Sequence, residues 1–326
     1  LSLGIALVVV GSIICAISSD LTTLIVGRTL QGISCSAMFI TCQTWLSQSS
    51  SKQNMVKTFA YFSLVLTIAP IVAPALGGFI TEYYSWRASF VLLAVLGVVI
   101  FAMVFPSKSP YQYPIKDPKS LNLKSTVKGY IDIVKSPKFR SLNNLGLIFY
   151  FYQSMFIAMS SFMIIDNFGL SPTKYGLLTI PIVVALIVGR FPTLYISNKF
   201  GNRAAFTFNI VSILLSAIAS IAFYAITETY NLWIVLASVT VFNFGFCGYN
   251  ILSLSSMMII YNEDKGRVSA TNNFFVQVAN YLGVLAVQIL FACNISTYNI
   301  FYLFSIFLLL GTLLATIQLV KSFKIN

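Results

Sequence analysis

Ten stretches of the sequence stay apolar over close to the ~20 residues needed to cross a hydrocarbon core of ~30 Å. Their approximate limits are 1–19, 21–46, 59–80, 88–105, 145–165, 177–196, 204–226, 232–260, 269–293 and 300–320. Runs of that length predict membrane-spanning helices, so the expectation is an all-α membrane protein. Composition points the same way: 58% of residues are hydrophobic, 9% are charged, and the mean hydropathy is +0.87. No soluble domain can hide that much apolar surface.

The charge pattern orders these spans. A net charge of +12 would suggest nucleic acid in a soluble chain. Here it follows from the excess of Lys and Arg on the cytoplasmic side of membrane proteins. If the connection at 47–58 is cytoplasmic, then so are 106–144, 197–203, 261–268 and the tail after Val320. Together they hold sixteen of the twenty basic residues. The opposite side holds only Arg87 and Lys174, while Arg28 and Arg190 fall inside spans. This predicts a multi-pass membrane protein with a cytoplasmic C-terminus, and no nucleic-acid partner. It divides the chain into a bundle of four spans (1–105), a basic cytoplasmic linker (106–144) and a bundle of six (145–326). Within the linker, Val127, Tyr130, Ile131 and Val134 recur at helical spacing beside Lys128 and Lys135. That pattern suits either a helix lying on the membrane surface or a solvated basic linker. Histidine is absent and the five cysteines lack metal-ligand spacing, so no metal or other cofactor is expected. Asn294-Ile295-Ser296 matches a glycosylation sequon by chance.

One span is unusual. The segment 59–90 carries Pro70, Pro74, Gly77 and Gly78, a set tolerated in a membrane helix because neighbouring helices re-satisfy the freed backbone groups. Pro70 and Pro74 lie one turn apart and bend the helix to one side. Gly77 and Gly78 let another helix approach closely. The span reads either as a hinge or as a kinked structural helix.

Polar residues inside the spans are few. Arg28 needs a partner or a wet cavity, because a cation in the membrane costs ~2.5–3.5 kcal/mol on insertion scales. Gln31 stands one turn on, and snorkelling to the outer surface is the alternative. Thr240, Asn243, Cys247 and Asn250 share one helix face, as do Asn273, Gln277 and Asn280. Such faces line a bundle interior or make interhelical hydrogen bonds. Tyr152, Gln153 and Met155 belong to an aromatic and methionine-rich stretch suited to an adaptable apolar wall. All eight acidic residues lie in loops or at span ends, which argues against a membrane-embedded enzyme and assigns no proton-carrying carboxylate.

Ala73-Pro74-Ala75-Leu76-Gly77-Gly78 resembles the antiporter motif in the fifth helix of major facilitator drug:proton antiporters, with Ala73 in place of the motif's first Gly. With Ser85-Trp86-Arg87-Ala88-Ser89-Phe90 it is most similar to the Bcr/CflA drug-resistance subfamily. Gly27-Arg28-Thr29-Leu30-Gln31-Gly32 resembles the family's fourth-helix motif, which implies Arg28 and Gln31 as the coupling pair. Gly169-Leu170-Ser171-Pro172, followed by Tyr175-Gly176, is similar to a connection in the same subfamily. The run 198–203 resembles its cytoplasmic gating loop and implies Gly201 and Arg203 as gating residues. The resemblance implies a six-plus-six helical bundle, of which four plus six are present. The chain opens at Leu1 inside an apolar run, which reads as a fragment or truncated product lacking the first two helices rather than as a signal peptide. On this resemblance Asn243, Asn250, Asn273 and Gln277 line the central cavity with Tyr152, Gln153 and Met155. The implied activity is export of drug-like molecules across the lipid bilayer in exchange for protons. A nutrient importer of the same fold and a non-transporting remnant are the alternatives.

Overall fold

The computed structural model describes residues 2–49, 69, 72–105, 123–261 and 265–324. Pro70, Lys52, Lys57 and the linker residues 106–122 lie outside the described residues. All regular structure among the described residues is helical. Helix α1 is Ser2–Ile17, α2 Leu21–Ser49, α3 72–83 and α4 Trp86–Val104. Then come α5 Leu123–Lys135, α6 Pro137–Ser161, α7 Pro172–Val188 and α8 Arg190–Phe200. The last four are α9 Asn202–Thr227, α10 Leu232–Ile260, α11 Lys265–Ala292 and α12 Thr297–Lys324.

Seven helical stretches among the described residues are long and apolar enough to cross a membrane: Trp86–Val104, Pro137–Asn167, Pro172–Phe200, Asn202–Thr227, Leu232–Met257, Arg267–Ala292 and Thr297–Ile317. That is fewer than the ten spans expected. Helix α1 has 16 residues. Helix α2 has 29, with its hydropathy diluted by Thr, Gln, Ser and Arg28. The third expected span falls partly outside the described residues.

Local chemistry sets several of the ends. Asp20 Oδ1 accepts the Thr23 N–H at 2.8 Å and opens α2. Ser85 caps α4 through the Ala88 N–H, and Asn231 caps α10 through the Trp233 N–H at 2.9 Å. Pro137 occupies the first turn of α6, eight residues before the apolar run begins, where its missing N–H costs nothing. Helix α6 continues as one π-helical turn, Phe162–Asn167.

The chain forms two compact units. The first is Leu1–Ile115 together with Ser171–Thr179; the second is Lys116–Leu170 together with Ile180–Asn326. In the first, α1 lies between α2 and α4. Arg87, at the start of α4, donates to the Ser18 carbonyl at the end of α1 (Nη2, 2.9 Å) while its guanidinium stacks on Trp86. In the second unit α6 and α10 are the most enclosed spans. Their core is aromatic: Phe149 meets Tyr249 edge-on at 5.0 Å, and Tyr152 lies 4.6 Å from Phe242. Such pairs add about 0.5–1.5 kcal/mol each beyond the area they bury.

Candidate functional site

In the first unit, α3 and the first turns of α7 meet backbone to backbone. A Cβ placed on Gly78 would stand 2.3 Å from the Pro172 carbonyl oxygen, and one on Gly176 would stand 2.4 Å from the Pro74 carbonyl oxygen. Each glycine is therefore fitted against a proline of the other motif. Gly77, one residue earlier, has nothing within 4 Å of its Cβ position. Ala73 is exposed and Pro74 half-buried.

Glu82 closes the same contact. Its Oε2 accepts the Thr173 N–H at 2.9 Å, placing a carboxylate on the first turn of α7, where unpaired donors and the helix dipole favour an anion. The Thr173 N–H holds the Glu82 carboxyl below the usual carboxylate range. The sequence marks Glu82 only as a loop acid, because its partner is 91 residues away.

The expected coupling pair is joined directly. Arg28 Nη1 donates to Gln31 Oε1 at 2.9 Å, and Gln31 Nε2 donates to Ser12 Oγ at 2.7 Å. Gln31 and Ser12 are buried. Arg28 itself is exposed at the surface of the unit, 6.0 Å from the Phe90 ring centroid. Helices α1 and α2 approach closely enough for this relay because Gly11 and Gly27 face each other: a Cβ on either would stand 2.8 Å from the other's carbonyl oxygen.

The expected cavity residues take different places in the second unit. Tyr152, Met155 and Asn243 are buried in its packing. Asn243 donates to the Val239 carbonyl of its own helix at 2.9 Å. Its Oδ1, and Gln153 Oε1, are enclosed without a hydrogen-bond partner. Asn250 donates to the Tyr150 hydroxyl on α6, beside a cavity of about 10 Å³, room for one water, that Asn143 and Asn272 also line. Asn273 and Gln277 are exposed on α11, and Asn280 donates to Gln277 Oε1 at 3.3 Å.

Arg190 stands where α7 gives way to α8 and donates to Cys247 Sγ at 3.3 Å, drawing the polar face of α10 toward α8. Gly201 sits between α8 and α9 with φ +86°, a conformation an L side chain resists. Arg203 lies in the first turn of α9. Sequence reasoning missed the buried pair Thr193–Asn209: the Thr193 hydroxyl donates to Asn209 Oδ1 at 3.0 Å, linking α8 to α9. A single Asn in an apolar run gives no sign of which way it faces.

Comparison with known proteins places these features in a family. The model of the Major Facilitator Superfamily matches residues 1–284 and 144–322. The multidrug transporter MdfA of Yersinia pestis bv. Antiqua is 24% identical over 317 residues, covering 97% of this chain and 76% of that protein. The chloramphenicol resistance protein CraA of Acinetobacter baumannii is 22% identical over 274 residues, covering 81% of this chain and 63% of that protein. Among solved structures, a bacterial homologue of the human lysosomal transporter Spinster covers 98% of this chain and 80% of its own, with a TM-score of 0.70 at 14% identity. A bacterial homologue of the iron transporter ferroportin covers the same shares with a TM-score of 0.65 at 13% identity. With a family model matched over most of its length, and with only helices and seven apolar spans among the described residues, the chain belongs to the Major Facilitator Superfamily of membrane transporters.

Proposed function

We propose that the protein is a secondary active exporter of drug-like, amphiphilic small molecules, driven by proton antiport and working by alternating access across a bacterial inner membrane. On this reading it has four spans before the linker and six after it, is of the Bcr/CflA type, and ends in the cytoplasm. The observation that carries the reading is the pair of fitted backbone contacts, Gly78 on Pro172 and Gly176 on Pro74, between the antiporter-like motif and the opening of α7. The first unit takes α7 as far as Thr179 and the second takes it from Ile180. Pro181 interrupts the helix ladder beside that boundary. A close contact without side chains near a proline that removes a ladder hydrogen bond gives α7 a place to flex, which a transporter cycling between two openings requires.

Arg28 and Gln31 are the coupling pair, with the Ser12 relay fixing the amide. The unpartnered Gln153 and Asn243 oxygens are acceptors for a substrate's N–H or O–H groups. Tyr152, Met155, Asn250, Asn273 and Gln277 complete the substrate-handling set, and Gly201 and Arg203 the cytoplasmic gate. The names of the relatives favour export over uptake and suggest chloramphenicol as the first probe. Efflux from energised cells should stop when a protonophore collapses both the pH gradient and the membrane potential. Efflux that continues with both collapsed rules out proton coupling.

A further inference from the structure

The linker helix α5 packs on α6 and α11, with Ile133 turned inward. Val127, Tyr130 and Ile131 remain exposed on another side. It is therefore apolar both toward the protein and away from it. Between α5 and the start of α11 runs a groove of about 560 Å³, within the size range of small-molecule sites (roughly 300–1,000 Å³). Ile131, Val134, Ala270 and Phe274 form its apolar walls, and Tyr130 and Lys135 stand among its lining.

Lys135 is the cation in its lining, and further cations lie on the same helices. Gly129 has no side chain where one would meet Arg267: a Cβ there would stand 2.7 Å from Arg267 Nη1, so the guanidinium lies against the α5 backbone. Lys128 is exposed one residue earlier, and Lys138 and Arg140 follow at the start of α6. The opposing charge on α5 is Asp132, between Lys128 and Lys135. An apolar slot with Lys135 in its lining and Arg267 against the neighbouring backbone of α5 has the chemistry of a phospholipid with an anionic headgroup. A free phosphate would leave the apolar walls unused, and a neutral lipid would leave the cations unused.

We infer that the α5–α11 groove binds one anionic phospholipid, its phosphate held by Lys135, Arg267 and Lys128 and an acyl chain lying between Ile131 and Phe274. The lipid pins the linker helix to α11. This site is independent of the transport reading and needs no substrate to be detected.

The test uses the full chain, purified, stripped of lipid and offered phosphatidylglycerol or phosphatidylcholine, with bound lipid counted by native mass spectrometry. Retention of one phosphatidylglycerol, about tenfold over phosphatidylcholine, is expected. The triple variant K128Q/K135Q/R267Q should lose that preference. Ala270 is exposed, so A270W should fill the groove without disturbing the core and should abolish retention with every charge in place. K174Q, at a cation of the first unit, should change nothing. Equal retention of both lipids overturns the site. So does loss in the triple variant without loss in A270W, which would leave headgroup attraction alone. Displacement of phosphatidylglycerol by inorganic phosphate at equal concentration would make it a plain anion site and overturn it as well.

Discussion

Gly77 and Gly78 are neighbours in sequence, yet Ala substitutions there should move stability in opposite directions. At Gly78 the new methyl meets the Pro172 carbonyl oxygen at 2.3 Å, and ordinary contact begins near 3.4 Å. Relief needs α3 and α7 to part by roughly 1 Å, because the obstacle is backbone and has no rotamer to change. Overpacking of this kind costs about 1–3 kcal/mol. The lower backbone entropy of Ala in a helix returns about 0.5–1 kcal/mol. The balance for G78A is a loss of up to roughly 2.5 kcal/mol. At Gly77 no atom lies within 4 Å, so only the gain of about 0.5–1 kcal/mol remains. G176A meets the Pro74 carbonyl oxygen at 2.4 Å and should behave like G78A. Thermal unfolding of the purified variants in one detergent, with the transport of each measured in cells at matched expression, reads both effects. G77A should melt above the parent and G78A and G176A below it. If G78A is as stable as G77A, the backbone contact is absent and the reading of α3 and α7 as a fitted pair fails.

Three further predictions concern the polar contacts. Glu82 has its carboxyl pKa depressed in the folded protein, so the stability it contributes is present above the ordinary carboxylate range and is lost as pH falls through and below it. E82Q should flatten the melting temperature between neutral and acid pH; an unchanged pH profile would remove the cap from the account. Q31A removes the link from Arg28 to buried Ser12 and should destabilise by about 1–3 kcal/mol, the cost of leaving buried polar groups unpaired, while R28K keeps the charge and should lower export more than stability. N209A deletes the α8–α9 hydrogen bond; interhelical bonds in membrane proteins average about 0.6 kcal/mol and reach about 1.7 kcal/mol, so a loss above 3 kcal/mol in denaturation would mean that Asn209 does more than the structure assigns it.

Much of the architecture is legible in the sequence because the bilayer sets one length scale. The apolar runs lie where α4, α6, α7–α8 and α9–α12 form, and Ser85, Asn231 and Pro137 mark their starts. What the sequence leaves open is rotation about each helix axis. Tyr152, Gln153 and Met155 are consecutive or nearly so, yet Tyr152 and Met155 are buried while Gln153 is half-exposed. A run rich in Tyr, Phe and Met offers no polar side to orient it, so lining and core look alike. Helix α5 has such a polar side, and of its apolar stripe Val127, Tyr130 and Ile131 are exposed while Val134 is half-buried. The inward face rests on Ile133, a single residue that no periodicity distinguishes.

The motif in α3 and the one opening α7 read as two separate signals, one a bend and the other a turn with a helix start. Their structural meaning is joint. Gly78 needs Pro172 to present bare backbone, Gly176 needs Pro74 to do the same, and the Thr173 N–H that Glu82 accepts is freed because it lies in the first turn of α7. Each small or carboxylate residue is explained by its counterpart about ninety to one hundred positions away and by nothing in its own helix. Restoring one side alone cannot repair the other: a second substitution that shortens a side chain near Gly78 leaves the Pro172 carbonyl where it was. G78A and G176A should therefore be no worse together than about the worse of the two, since a single ~1 Å separation relieves both clashes. Additive losses in the double variant would mean two independent contacts and would dissolve the link between the motifs.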